Sequence, residues 1–199
     1  IPPALEVSQI REDNAYGGIR VKLTAFLGSG RIHLQVDVGL GDSVYPQPEW
    51  AELGTILDFP SPRIRPYPIY AVVAEKFQTM VELADANSRM KDYYDMHYLL
   101  QNFHFDGNHL QEAIHQTFQQ RKTEIPKTIP VGLSSDFATD QNKRTQWNAF
   151  LRKNRLDGAR ELPEIVAQIA NFLMPILSGA EITGKRWVPD EGWEAKEKG

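Results

Sequence analysis

Three ionisable features in this chain break their local pattern or are left available by it: Asp37, Lys76 and the pair Asp92/Asp95. In RIHLQVDVGL, the residues Ile32, Leu34, Val36, Val38 and Leu40 alternate with Arg31, His33, Gln35, Asp37 and Gly39, which is the period of a half-buried strand. Asp37 lies on the polar face, where it is either solvated, paired across the strand, or one edge of an anion or metal site. Lys76 falls in the middle of an apolar helical stripe. An ammonium there must snorkel to water, find a carboxylate, or serve a function, because burying it alone is costly. Asp92 lies at the centre of the core side of the next helix and Asp95 at its edge. Asp92 is also placed as a first-turn acid favoured by the helix dipole, and Asp95 as a mate for Arg89 or Lys91.

Other familiar chemistry is missing. The five histidines form no metal motif: His33 stands four residues before Asp37 on the same strand face, and His104, His109 and His115 read as ordinary helix or loop residues. There is no HExxH, no Walker loop and no GxSxG, and the GSG at 28–30 reads as a hairpin turn. Cysteine is absent, which removes disulfides and thiolate metal sites.

The elements that would position these groups follow from periodicity. GIRVKLTAFL (18–27) alternates and reads as the first strong strand. A two-residue turn at Ser29-Gly30 would pair it with the strand of Asp37, setting Leu27 against Ile32 and Lys22 against Asp37. Residues 42–68 are rich in proline and read as an extended connection and a boundary. From Ile69 the period becomes helical, with Val72, Val73, Phe77, Met80, Leu83 and Ala84 on one side and Glu75, Gln78, Glu82 and Asp85 on the other. Further helices are predicted over 91–103, with Tyr93, Met96, Leu99, Leu100 and Phe103 inward, over 109–121, over 139–154 with Trp147, Phe150 and Leu151 inward, and over 162–177 with Pro163 in the first turn. The tail TGKRWVPDEGWEAKEKG reads as wrapping the surface or fraying. The fold class is α+β: a partial mixed or antiparallel sheet in a region 1–68, then a mainly helical, bundle-like domain over 69–199.

Composition agrees with a globular chain, since 41% of the 199 residues are hydrophobic and a core can be buried. A net charge of −4 argues against coating nucleic acid by bulk charge, although local basic patches such as QNKRTQW and FLRKNR (141–155) remain, where a solvated helix face outweighs a phosphate contact. No apolar run approaches the roughly 18 residues of a membrane span, and IPPALEVSQIRED has no basic segment followed by an apolar one. A soluble cytoplasmic protein is the expectation.

Read together, AEKFQTMVELADANSRMKDYYDMHYLL (74–100), preceded by HLQVDVGLGD and RPYP and followed by AIHQTFQQR and WNAFL, resembles the AbiEii/AbiGii toxin family of nucleotidyltransferases. The resemblance covers roughly residues 16–155, and the AEK and RxKDxxD blocks are its specific part. It implies a polymerase β-like nucleotidyltransferase domain followed by a helical one. In such folds a glycine-rich turn and an Asp-x-Asp pair hold a divalent metal, Mg²⁺ or Mn²⁺, and a nucleoside triphosphate (NTP), and a third carboxylate comes from a neighbouring strand. Asp37 matches that carboxylate, as metal ligand or catalytic base. Lys76 matches the lysine near the triphosphate, and Lys91, Asp92 and Asp95 match the last charged motif, with Lys91 and Asp92 at the nucleotide and Asp95 at the chemistry.

The implied acceptor is RNA, notably tRNA ends, and the implied partner an antitoxin encoded alongside, in a toxin-antitoxin or phage-defence system. The Asp-x-Asp segment should stand upstream of GGIRVKLTAFL. Glu12 and Asp13 are no substitute for it, because adjacent side chains on a strand point to opposite faces. The expectation is a fragment of a longer enzyme, inactive by itself. The alternative is a non-catalytic RNA- or protein-binding module in which Lys76, Asp92 and Asp95 form a structural ion network.

Overall fold

The computed structural model describes residues 5–10, 17–41, 43–156, 158–180 and 182–196, and Glu12 and Asp13 lie outside them. The chain divides into two units, Ile1–Ser43 and Val44–Gly199. The first holds three strands, β1 (Leu5–Ile10), β2 (Gly18–Leu27) and β3 (Gly30–Gly39), antiparallel in the order β1-β2-β3. Strand β1 precedes the first strand expected from the sequence, where LEVSQI is too short and too polar to announce itself.

The parity of the β2–β3 pairing is the expected one, since Val21 faces Val36 and Leu23 faces Leu34. The register is not. Leu27 pairs with Gly30, so the turn is Gly28-Ser29, Asp37 faces Arg20, and Lys22 faces Gln35. Gly28 has φ 59°, a left-handed conformation that glycine adopts freely. A turn one residue later would have put Ser29 at that position.

In the second unit the proline-rich stretch runs without long strands, apart from the short pair β4 (Ala51–Glu52) and β5 (Arg63–Ile64). It is tied to the helices that follow, for Tyr45 Oη and His109 Nδ1 share a hydrogen bond of 3.0 Å. Then come α1 (Ile69–Leu83), α2 (Met90–Asn102), β6 (Phe105–Asp106), α3 (Gly107–Gln120), α4 (Ser135–Thr139), α5 (Gln141–Asn154), α6 (Leu162–Leu177), β7 (Lys185–Val188) and β8 (Gly192–Ala195). Asp106, Ser134 and Asp140 cap α3, α4 and α5 by accepting from backbone N–H groups in the first turn. Helix α6 begins with Pro163 in its first turn, where a missing N–H costs nothing.

Phe77 and Met80 of α1, Tyr93, Met96 and Leu100 of α2, Ile114 and Phe118 of α3, Trp147 of α5 and Phe172 of α6 fill one core. His97, also buried, joins α2 to α6 through a 2.6 Å hydrogen bond to Gln168. Two positions differ from the helical reading. Phe103 is exposed, because the chain turns extended there and ends α2. Gln78 is buried, and its amide is satisfied by Glu82 (2.8 Å), Thr123 (2.9 Å) and Arg121 (2.8 Å).

Over its described residues, 183–196, the tail folds as a hairpin rather than fraying. Strand β7 pairs with both β6 and β8, Trp187 packs edge-on against Phe172 at 5.0 Å, and Trp193 stacks on Phe172 at 5.4 Å. Both indoles also donate hydrogen bonds, Trp187 to the Leu100 carbonyl (3.0 Å) and Trp193 to the Phe172 carbonyl (2.9 Å). The lysines and glutamates around them hid a hairpin whose inward residues are aromatic. Among the described residues no helix is long and apolar enough to cross a membrane. Trp187→Ala should destabilise the fold by about 3–5 kcal/mol, as expected for removing a buried large aromatic, read as a lower midpoint in equilibrium urea unfolding.

Candidate functional site

Helix α1 ends in a short 3-10 turn over Ala84–Ala86, and the chain reverses into α2. The reversal brings the first turn of α2 alongside the middle of α1. Asp92 and Asp95 are three residues apart and therefore share one face of α2. That face meets Lys76. Its ammonium donates to Asp92 Oδ1 at 2.5 Å and to Asp95 Oδ2 at 2.7 Å. Lys91 donates to the same Asp95 oxygen at 2.5 Å, one helical turn away. Lys76 is 15% exposed and Asp92 16%, whereas Lys91 is 72% exposed, so the network has a sheltered inner pair and a cation at the solvent edge. Lys76 thus neither snorkels freely nor stands unpaired, and Asp95 takes Lys91 together with Lys76 as its cations.

The electrostatics follow. Burial works against the charge on Lys76, but the hydrogen bonds and charges of Asp92 and Asp95 outweigh it and hold its pKa above the ordinary lysine value. Burial likewise pushes Asp95 up, and the bonds and charges of Lys76 and Lys91 more than reverse this, so its carboxyl titrates below the usual range.

The support for this corner lies beneath it. Tyr93, between the two aspartates, turns into the core and donates to the Gly132 carbonyl at 2.8 Å. A side chain at residue 132 would put its Cβ 2.5 Å from the Met80 carbonyl oxygen, so the 130–133 loop can lie against α1 only with glycine there. Glu75, next to Lys76, accepts from Tyr67 and lies 3.5 Å from Arg121. With Gln78, these residues form a second polar layer that the sequence reading did not single out. The separation between Gln78 and Arg121 in the chain left no local signal for it.

Asp37 belongs to the other unit. Its two carboxylate oxygens accept from Arg20 Nε and Nη2, each at 2.8 Å, and Gln35 adds a bond of 3.2 Å. The hydrogen bonds from Arg20 are the main cause of its lowered pKa. Arg20, in place of the expected Lys22, is the cross-strand partner because of the register of the turn. His33 is turned to Thr24 (3.1 Å) rather than to Asp37. Among the described residues no group of three or more Asp, Glu, His or Cys side chains is arranged to hold a metal ion.

The lysine and the two acids that meet here are those of the AEK and RxKDxxD blocks, in a chain of α+β class. The chain belongs to the AbiEii family: the sequence model described as "Nucleotidyl transferase AbiEii toxin, Type IV TA system" matches residues 3–170. This is a family of nucleotidyltransferase toxins of type IV toxin-antitoxin systems. No curated protein and no solved structure matched.

Lys76→Met leaves two sheltered carboxylates without their shared cation. It should cost about 1–3 kcal/mol, less than a fully buried pair because water screens this one. The raised lysine pKa stabilises the fold below the ordinary value of about 10.4 and fades as pH rises through the higher folded value, while the lowered Asp95 pKa stabilises it above about 3.9 and fades as pH falls through the lower folded one. The difference in urea midpoint between the wild type and Lys76→Met should therefore be full between about pH 5 and 9 and shrink on both sides.

Proposed function

We propose that this protein transfers a nucleotidyl group from a nucleoside triphosphate to an RNA acceptor of the tRNA kind, in the cytoplasm and under the control of an antitoxin protein. The observation that carries the reading is the Lys76 network: an ammonium held charged, sheltered from water, and shared between two carboxylates. In the transfer, the acceptor hydroxyl oxygen bonds to the α-phosphorus, the α–β phosphoanhydride breaks, pyrophosphate leaves, and the hydroxyl proton passes to a base. Lys76 and the exposed Lys91 are the cations that meet the triphosphate. As Lys76 turns toward phosphate, Asp95 loses one of the two lysine hydrogen bonds that depress its pKa and becomes a better proton acceptor at the moment one is needed. Asp92 keeps Lys76 within reach of both.

A divalent cation, Mg²⁺ or Mn²⁺, would neutralise phosphate charge in this chemistry. The described carboxylates do not fit one, since Asp37 is engaged by Arg20, and Asp92 and Asp95 by Lys76. In our reading Asp37 is a catalytic carboxylate, available once Arg20 exchanges it for another anion.

A second reading draws on the same network. Lys76, Asp92 and Asp95 satisfy one another with no ligand, which is what a non-catalytic RNA- or protein-binding module on this scaffold would need. The two are separated by incubating the full-length protein with Mg²⁺, each α-labelled triphosphate and total tRNA. Label should enter RNA, and Lys76→Arg, which keeps the charge and the fold but not the compact ammonium, should lower the rate by about 10²-fold or more. Asp37→Ala should abolish transfer while leaving the unfolding midpoint unchanged, because its carboxylate is a surface group. No label in RNA from the folded protein would favour the binding module.

A further inference from the structure

The net charge of −4 conceals one basic helix. Between Asp140 and Asp157 the chain carries five cations, Lys143, Arg144, Arg152, Lys153 and Arg155, and no acid. Lys143 is spent on the fold: its ammonium caps the carbonyls of Asp85 (2.5 Å) and Asn87 (3.0 Å) and lies 5.0 Å from the centre of the Phe137 ring. The other four are exposed. Among the described residues none of their charged groups has a hydrogen-bond or ion-pair partner.

We propose that this exposed face of α5 is a docking surface for the phosphate backbone of RNA. Helical spacing sets Arg144, Asn148 and Arg152 in a row, with the two guanidinium groups based roughly 12 Å apart along the axis. Thr145, Asn148 and Arg152 line a surface cleft together with Leu156 and Gly158. Guanidinium forks separated by an amide and a hydroxyl are the donors that phosphate and sugar oxygens take. The helix dipole accounts for Arg152 and Lys153 in the last turn, yet not for Arg144 near the positive end, where a cation is disfavoured.

RNA fits this face better than a protein partner does. None of the large apolar side chains exposed on the molecule belongs to α5. Protein interfaces are centred on apolar and aromatic residues with charge depleted, whereas nucleic-acid interfaces are polar and strongly positive. The face is also placed for the site: α5 packs on α2 through Phe150 against Tyr94 at 5.9 Å, and Lys143 holds the turn that leads into α2. RNA lying on α5 is one helix away from Asp92 and Asp95. The surface rests on the reading of RNA as acceptor and deepens it. Backbone contacts carry no sequence information, so they hold the acceptor without choosing it.

The test is binding without triphosphate, which separates this surface from the transfer reaction. Fluorescently labelled total tRNA is titrated with the wild type, with Arg144→Ala/Arg152→Ala and with Lys127→Ala, an exposed lysine elsewhere, at about 50 to 200 mM salt, with poly-L-glutamate run in parallel. The logarithm of the binding constant should fall linearly with the logarithm of salt. The double variant should bind roughly tenfold more weakly, with a slope smaller by about 1.5, and Lys127→Ala should match the wild type. Circular dichroism should show all three folded alike, since the substituted charged groups make no hydrogen bond or ion pair with the described residues. Equal tRNA affinity in the double variant, or no tRNA binding by the wild type at the lowest salt, overturns the proposal. Polyglutamate binding as tight as tRNA and lost in the same variant overturns it too, in favour of an acidic protein partner.

Discussion

An ammonium group in a helix interface has to be answered by negative charge, and that requirement organises the helical unit. Lys76 is only partly solvated where α1 places it, and α2 starts at the position and rotation that present Asp92 and Asp95 to it together. The turn between the helices, the capping of its carbonyls by Lys143, and the anchoring of Tyr93 on the Gly132 carbonyl all serve that placement. Each of these contacts joins residues distant in sequence. The pair is costly to desolvate and costly to break, which is a reason to regard it as a device for geometry before one for stability.

The sheet unit solves the opposite problem. Asp37 and Arg20 meet at the surface in a forked, two-bond pair on an exposed strand face, where water competes for both. Such a pair orders two side chains without committing them, and either can exchange its partner for a ligand. The inner network around Lys76 and the outer pair around Asp37 therefore differ in how readily they open, although both neutralise a carboxylate with a cation.

How much of this was legible depended on distance along the chain. Helix α6 reads to its observed bounds, because Pro163 marks its start and the apolar face is unbroken. Lys76, Asp92 and Asp95 could each be picked out as breaking a pattern, since helical periodicity is local. Their meeting could not, because it needs the 84–89 turn. Strand parity was legible from alternation, but the choice between Gly28-Ser29 and Ser29-Gly30 rests on which residue takes a left-handed φ, and two glycines flank the serine. The polar layer of Gln78, Arg121 and Glu75 and the aromatic hairpin at 185–195 were hidden for one reason: their inward residues are polar or sparse, and only partners far along the chain bury them.

The bond from the Trp187 indole to the Leu100 carbonyl spans 87 positions and caps the helix that carries Asp92 and Asp95. On a ribosome, α1 and α2 emerge long before that indole does. Loop closure of this length is entropically expensive and comes late. The nascent chain therefore carries its charged corner without this cap on α2 until residue 187 has been added.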